Sequence, residues 1–496
     1  MRKRIGTPIA GVVAIVGASL ASLVLVAAPA GAVSVNDETS FRDAWANQTA
    51  VDLTADITLT CGGGGAAVRN SGDAITVDAH RFTITQTCAG DEALTQSGVG
   101  QVMLVNLTLV GGVVGVESNG DVSLLGVTVT GQSDDGPAAG VAVQGADVFV
   151  TSSVISSVTS TTNEAYGVLV VGGDITSTAG TITDVSGPDA AIGLMAQSGS
   201  VTATRTAIST IGKGVSEDVF GILASDAVTT TNLRVSGLSG TDVAYGIAGN
   251  GTVTVTESSV RDLTTGNFVV GVYGSGGALS LVRSTVASLH GDQGAFGVFG
   301  PAASLVNSTV TGVEGVGVYA ESATIAYSDI VGNGTDSFDV DLTATEVGGL
   351  TLASPLVGQV DPPASQIYVA DLEIFATVVT SPLLGFTNCF DETTVTSRGY
   401  NFADDLTCAL TSTGDAQAVG ANPLLGALAD NGGNTPTLLP QSGSPLLDAI
   451  PAAACQTAPA TGVTTDQRSE PRPGFVNCDI GSVELQPVVV QPTFTG

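Results

Sequence analysis

Six acidic residues recur just ahead of a repeated glycine. Glu164, Asp189, Asp218, Asp242, Asp292 and Glu314 lie three to five residues before Gly167, Gly193, Gly221, Gly246, Gly297 and Gly317. Carboxylate oxygens on one edge are the donors that calcium takes, and stacked carboxylates repel unless water or a cation screens them. Solvated turns are the expectation for this series and calcium is the alternative; no other cofactor is implied.

The remaining chemistry-bearing residues are sparse. A hydrolase of glycosides needs two carboxyl groups at a set separation, and a polysaccharide lyase needs a basic side chain beside a carboxylate cluster. Lys213 is the only lysine beyond residue 3. Arg205 and Arg283 share a repeat position three units apart. Asp134-Asp135 and Asp404-Asp405 sit in Gly/Ser or Asn contexts that read as turns. His80 and His290 are the only histidines, so no two-His metal motif exists. No Gly-x-Ser-x-Gly elbow pairs with a histidine, which excludes that route to nucleophilic catalysis. No catalytic residue is assigned.

What must position any of these groups is a repeat. The glycines at 140, 167, 193, 221, 246, 271, 297 and 317 keep a beat of 20 to 28 residues. A second series, Val129, Ile155, Ile182, Ile208, Val235, Val260, Val286, Val310 and Ile330, keeps the same beat. A third apolar residue follows three positions later, at Val158, Val185, Ile211, Leu238, Leu263, Leu289 and Val313. Each unit holds short β-branched runs between Gly, Ser, Asn and Asp turns and no helical period. A propeller blade needs about 40 residues, whereas about 25 fits one coil of a β-helix. The predicted fold is all-β: a single-stranded right-handed parallel β-helix with a short N-terminal capping helix and an irregular C-terminal closing region. Val141, Val168, Leu194, Ile222, Ile247, Val272, Val298 and Val318 should form one interior ladder. Tyr166, Phe220, Tyr245 and Phe296 share that strand parity and should stack with it.

Composition agrees. The 496 residues carry 65 Gly but 4% aromatics, suiting a narrow interior filled by small apolar side chains. A net charge of -32 leaves no electrostatic footprint for nucleic acid. With 43% hydrophobic residues the chain is not disordered.

Residues 1–32 read as a signal peptide: Arg2, Lys3 and Arg4, an apolar stretch, then Ala30-Gly31-Ala32. Export to an oxidising compartment lets cysteines pair, and no transmembrane segment is expected in the mature chain. Cys61, Cys88, Cys389, Cys408, Cys455 and Cys478 allow 15 connectivities, of which loop closure favours sequence neighbours. None has metal spacing. The exposed ends of a β-helix need caps. Residues 33–60 should supply the first, through a helix over Asp37–Asn47 capped by Thr39 or Ser40, with Phe41 and Trp45 on one face as a lid.

Coils are expected over 61–385, a distinct region over 386–485 and a tail over 486–496. The 386–485 region contains Asn422-Pro423-Leu424-Leu425-Gly426, Ala429-Asp430-Asn431-Gly432-Gly433-Asn434-Thr435-Pro436, Gly443-Ser444-Pro445, Thr465-Asp466-Gln467-Arg468 and Cys478-Asp479-Ile480-Gly481-Ser482-Val483-Glu484. In these residues it resembles the choice-of-anchor Q region of bacterial surface proteins with right-handed β-helices. The coils are similar, by period, to the pectin-lyase-like superfamily. The resemblance implies a secreted or cell-surface protein used as an adhesin. After Glu484 no anchoring motif is visible. Asp430, Asp448, Asp466, Arg468, Arg472, Asp479 and Glu484 are expected to satisfy buried backbone groups rather than to catalyse.

The function expected is non-catalytic: an exported rod presenting a repetitive face to a glycan, a surface or a protein partner. The rival is a polysaccharide lyase or glycoside hydrolase on this fold, and a third reading is a structural envelope component.

Overall fold

A computed structural model describes residues 31–334, 365–381, 386–456 and 458–487, with the backbone of four short strands between 340 and 360. It is an all-β, right-handed parallel β-solenoid of about twelve turns. Residues 1–30 of the expected signal peptide and 488–496 of the expected tail lie outside the described residues.

One coil shows the plan. Ala165–Val171, Ile175–Thr178 and Thr181–Ser186 are its three strands, separated by short turns. Each pairs in parallel with its counterpart one coil on: Ala191–Ala196, Val201–Thr204 and Ala207–Ile211. Three stacks of strands therefore run along the rod. The predicted ladder is present: Val141, Val168, Leu194, Ile222, Ile247, Val272, Val298 and Val318 pair in succession and all are buried. Fully burying a side chain of this size contributes about 1.5–3 kcal/mol.

The repeat glycines have a steric cause. A Cβ on Gly167 would stand 2.5 Å from the carbonyl oxygen of Gly193, on Gly193 2.6 Å from that of Gly221, and on Gly221 2.5 Å from that of Gly246. The backbone of each coil presses on the glycine of the last, and no side chain fits between them.

The apolar pairs three apart also have a cause. Residues between them lie in the left-handed region: Ser157 at φ 56, Asp184 at φ 56, Thr210 at φ 56 and Ser288 at φ 56. This kink restores the inward direction after three residues instead of two, so Ile155 and Val158, or Ile208 and Ile211, both enter the core.

The aromatic expectation is corrected. Tyr166, Phe220, Tyr245 and Phe296 do not stack with the interior ladder; they belong to a separate buried cluster. Val219 and Ile222 both belong to the main core, so the alternation breaks at Gly221. Phe220 consequently points to the opposite face, where its ring lies 5.2 Å from that of Tyr245. Strand parity cannot be carried across this glycine.

The helix spans Glu38–Asn47 and buries Phe41, Ala44 and Trp45. Its cap is Asp37, not Thr39 or Ser40. The Asp37 carboxylate accepts from Ser40 N at 2.8 Å, and Ser40 Oγ accepts in return from Asp37 N. Parallel pairing runs across both expected boundaries: Ala50, Val51 and Asp52 pair with Thr76, Val77 and Asp78, and Val378 and Val379 pair with Phe402 and Ala403. The disulfides are Cys61–Cys88, Cys389–Cys408 and Cys455–Cys478.

The C-terminal region does not simply cover the end. It runs back along the corner between the second and third strand stacks. Thr435 Oγ1 donates to Arg283 O, Asn307 Nδ2 to Thr465 O, Thr309 Oγ1 to Gln467 Oε1, and Tyr327 OH to Cys455 O.

Candidate functional site: a hydroxyl-lined sheet face and its acidic groove

The second strand stack turns one side chain in two outward. At the first outward position Thr176, Thr202, Thr229, Thr254, Ser280, Ser304, Thr324 and Glu373 pair in one continuous column. A parallel column holds Thr178, Thr204, Thr231 and Thr256. β-Branched residues hold such positions well because they fit a pleated, half-buried surface. The result is a flat grid of hydroxyls, ~4.8 Å apart between coils and about 7 Å along each strand.

Toward the C-terminal coils the grid opens into a shallow groove of about 420 Å³. Ala302, Ser304, Ser322 and Thr324 form its floor, and Asp371 and Glu373 enter from one strand, Ser365–Phe375. Two residues apart, these carboxylates share a face at about 7 Å, within the range of an inverting glycosidase pair. Their surroundings differ from such a pair. Asp371 is exposed, and Glu373 accepts from Arg398 Nε at 2.7 Å. A general acid needs a carboxyl kept protonated by burial or by a like charge. Here Asp371 is open to solvent, and the charge that meets Glu373 is the opposite one, on Arg398.

The six acidic residues of the repeat do not form one column. Asp218 pairs with Ala190, while Asp189, Glu217 and Asp242 occupy the preceding position on three successive coils. Asp292 lies 3.5 Å from His290 Nε2, and Glu314 bonds to His290 Nδ1. Glu164 stands two coils from Asp218 with Ala190 between. Among the described residues no three His, Cys, Asp or Glu side chains converge as a metal would require. Asp218 is pushed up to about 7 by burial first, then by Asp242 and Glu217. Part of the chain's acidity serves turns elsewhere: Asp121, Asp147 and Asp174 each accept from a backbone N–H one coil on.

Lys213 meets Asp184 at 3.3 Å, and His80 bonds Asp52 at 2.6 Å. Asp134 accepts from the N–H of Asp135; Asp404 and Asp405 accept from Ser381 and Asn388. These are turn and loop bonds.

The C-terminal carboxylates and arginines form a buried network. Asp466 accepts from the N–H groups of Arg468, Glu470 and Glu484. Glu484 accepts from Gly474 N and Asp479 N, and Asp479 from Asp448 N and Leu485 N. Arg472 donates to Asp479 O at 2.7 Å and Gly481 O at 3.0 Å, meets Glu484 at 3.1 Å, and lies 3.8 Å over the Tyr327 ring. Asp430 accepts from Gly432 N at 3.1 Å. Burial pushes Asp329 up to about 7 despite its bonds to Ser482, and Glu484 up to about 6 despite Arg472.

The hydroxyl columns were within reach of sequence reasoning, since Thr176, Thr202, Thr229 and Thr254 keep the repeat beat. Asp371 and Glu373 were not, because 49 residues separate Thr324 from its pairing partner Glu373. No family profile and no curated protein matches the chain. A solved structure described as the complex structure of XylC with xylose aligns with it at 9% identity and a TM-score of 0.26, covering 81% of this chain and 66% of that one. This chain thus spans slightly less than two thirds of that protein.

Proposed function

We propose that this protein is an exported, non-catalytic β-helix rod that holds an extended glycan against its second strand stack. The observation that carries the reading is the hydroxyl grid running into the groove at Asp371 and Glu373. Sugars offer hydroxyls that both donate and accept, and a Thr or Ser hydroxyl can answer either way. The carboxylates add stronger acceptors at one end. A flat face repeated over several coils suits a repeating chain better than a small molecule. The three disulfides and the likeness of 388–484 to the choice-of-anchor Q region support placement outside the cell, at a surface. Adhesin-like use follows from that placement.

The test is retention of the mature protein on insoluble chitin, cellulose and peptidoglycan. Retention on at least one, lost in T202V/T229V/T254V and weakened in D371A/E373A, supports the reading. No retention on any of the three overturns it. A hydrolase remains the second reading because of the Asp371–Glu373 spacing. Release of reducing ends, abolished singly by D371N and by E373Q, would establish it instead.

A further inference from the structure

Four arginines of this acidic chain gather along one corner of the rod. Arg205, Arg234, Arg261 and Arg283 all fall at or beside the corner between the second and third strand stacks. Two of them are neutralised locally: Arg261 meets Asp262 at 2.8 Å and Arg283 meets Glu257 at 2.6 Å. Arg205 and Arg234 are exposed and make no ion pair among the described residues. They stand on adjacent coils, with Arg205 at the left-handed corner residue, φ 51, and Arg234 paired with Ala207. In a protein of net charge -32, two unpaired guanidiniums side by side are a local reversal of sign.

These two side chains, with Asn232 and Asn434, line a cleft of about 340 Å³. Beyond Arg234 and Asn434 it continues into a second hollow of about 250 Å³, which reaches Arg261 and Asp430. The far wall is the loop Asn431–Thr435, and it is held firmly. Gly433 has φ 83, and a Cβ there would stand 2.6 Å from Arg468 Cα. Asn434 Nδ2 donates to Glu257 at 2.7 Å, and Thr435 Oγ1 to Arg283 O at 3.2 Å. The acids around the cleft are engaged: Glu257 by Arg283 and Asn434, Asp262 by Arg261, and Asp430 by Gly432 N. Asn232 Oδ1 is a buried acceptor with no donor.

We propose that this cleft is a second binding site, for the oxyanion of an acidic saccharide chain. The Arg205 and Arg234 guanidiniums fork onto a sulfate or carboxylate, the geometry for which arginine is suited. The rest of the lining includes the Asn434 amide and the Ser236 hydroxyl, groups that fit the sugar ring hydroxyls. The cleft crosses several coils, so the ligand lies along the rod rather than end-on. This site adjoins the hydroxyl grid at the corner, where Arg205 and Asn232 directly follow Thr204 and Thr231, and its charge recognition is set by the arginines.

The experiment is calorimetric titration of the mature protein with three probes: a heparin-derived hexasaccharide, an oligogalacturonate and a neutral dextran oligosaccharide. Binding of one or both acidic probes is expected, weakened by added salt, with none for dextran. Binding of the heparin fragment alone identifies sulfate as the recognised group, and binding of the oligogalacturonate identifies carboxylate. R205Q/R234Q should weaken the acidic probe at least tenfold with an unchanged melting temperature, and R205K/R234K should recover part of the loss. T202V/T229V/T254V should bind the acidic probe like wild type, which separates this site from the sheet face. No binding of either acidic probe, or equal binding by R205Q/R234Q, overturns the proposal.

Discussion

The Cβ that Gly246 lacks would stand 2.6 Å from the carbonyl oxygen of Gly271, one coil further along the rod. It would also lie 2.3 Å from Val260 Cγ1. The same approach recurs at Gly271 against Gly297 and at Gly297 against Gly317. The beat that defines the repeat is thus a row of backbone contacts in which one coil seats on the next.

Gly246→Ala should therefore act as overpacking between two coils, where backbone rather than a flexible side chain must yield. A loss of about 2–3 kcal/mol is expected by chemical denaturation. Gly72→Ala is the control, since nothing lies within 4 Å of a Cβ there. Equal stability of G246A and wild type would contradict the seating argument.

Thr210 is an exposed, β-branched residue at φ 56. The left-handed region costs such a residue roughly 1–2 kcal/mol, and glycine avoids that cost at the price of a more flexible unfolded chain. Thr210→Gly should raise stability by about 0.5–1 kcal/mol. Thr210→Val, which keeps the branch and loses the hydroxyl, should give no gain. A melting temperature for T210G at or below wild type would count against strain at this kink.

Arg472 is fully buried and joins Glu484, two backbone carbonyls and the Tyr327 ring. Removing one partner of a buried pair costs about 3–5 kcal/mol, because the remaining charge is left uncompensated. Arg472→Met should lose that amount and loosen the C-terminal region from the coils. Limited proteolysis would read this as early cleavage after residue 422 with the coils intact. Wild-type resistance would show that the region is held by its hydrogen bonds to the coils alone.

Asp218 and Asp329 are raised to about 7 and Glu484 to about 6, in each case by burial before any other cause. A raised carboxyl binds its proton more tightly when folded than when unfolded. Its contribution is complete below the unfolded value, about 4, and is lost as pH rises through about 7. Asp37 and Glu38 act in the opposite direction. Both are lowered, chiefly by backbone N–H donors, so their contribution is lost as pH falls through the acid range. Stability should therefore peak near pH ~5 and decline toward pH ~8. The melting temperature across that range is the readout, and Asp329→Asn should flatten the decline. A melting temperature that rises from pH ~5 to pH ~8 would refute the assignment.

Repetition made much of the fold legible. The interior ladder from Val141 to Val318 could be named from spacing because each coil presents one residue to the same place. Disulfide partners followed from proximity along the chain. Besides the helix cap, which is Asp37, two readings fail for reasons of local geometry. Phe220 was placed inside by counting residues, but the strand changes parity at Gly221. The acidic residues before each glycine were read as one edge, but turns of differing length shift Asp218, Asp242 and Asp292 into different columns.

Sequence by itself determined the circuit: a residue type recurring at one coil's length must meet its copy in the next coil, because parallel backbones pair in register. It also determined that side chains between coils had to be small. Only the tertiary structure decided what stands beside what across distant stretches. Asn434 reaches Glu257, Gln467 reaches Thr309 and Arg472 covers Tyr327, over separations that no period spans. Those contacts are set by where an irregular segment finds partners for its buried polar groups, and that depends on the finished surface of the rod.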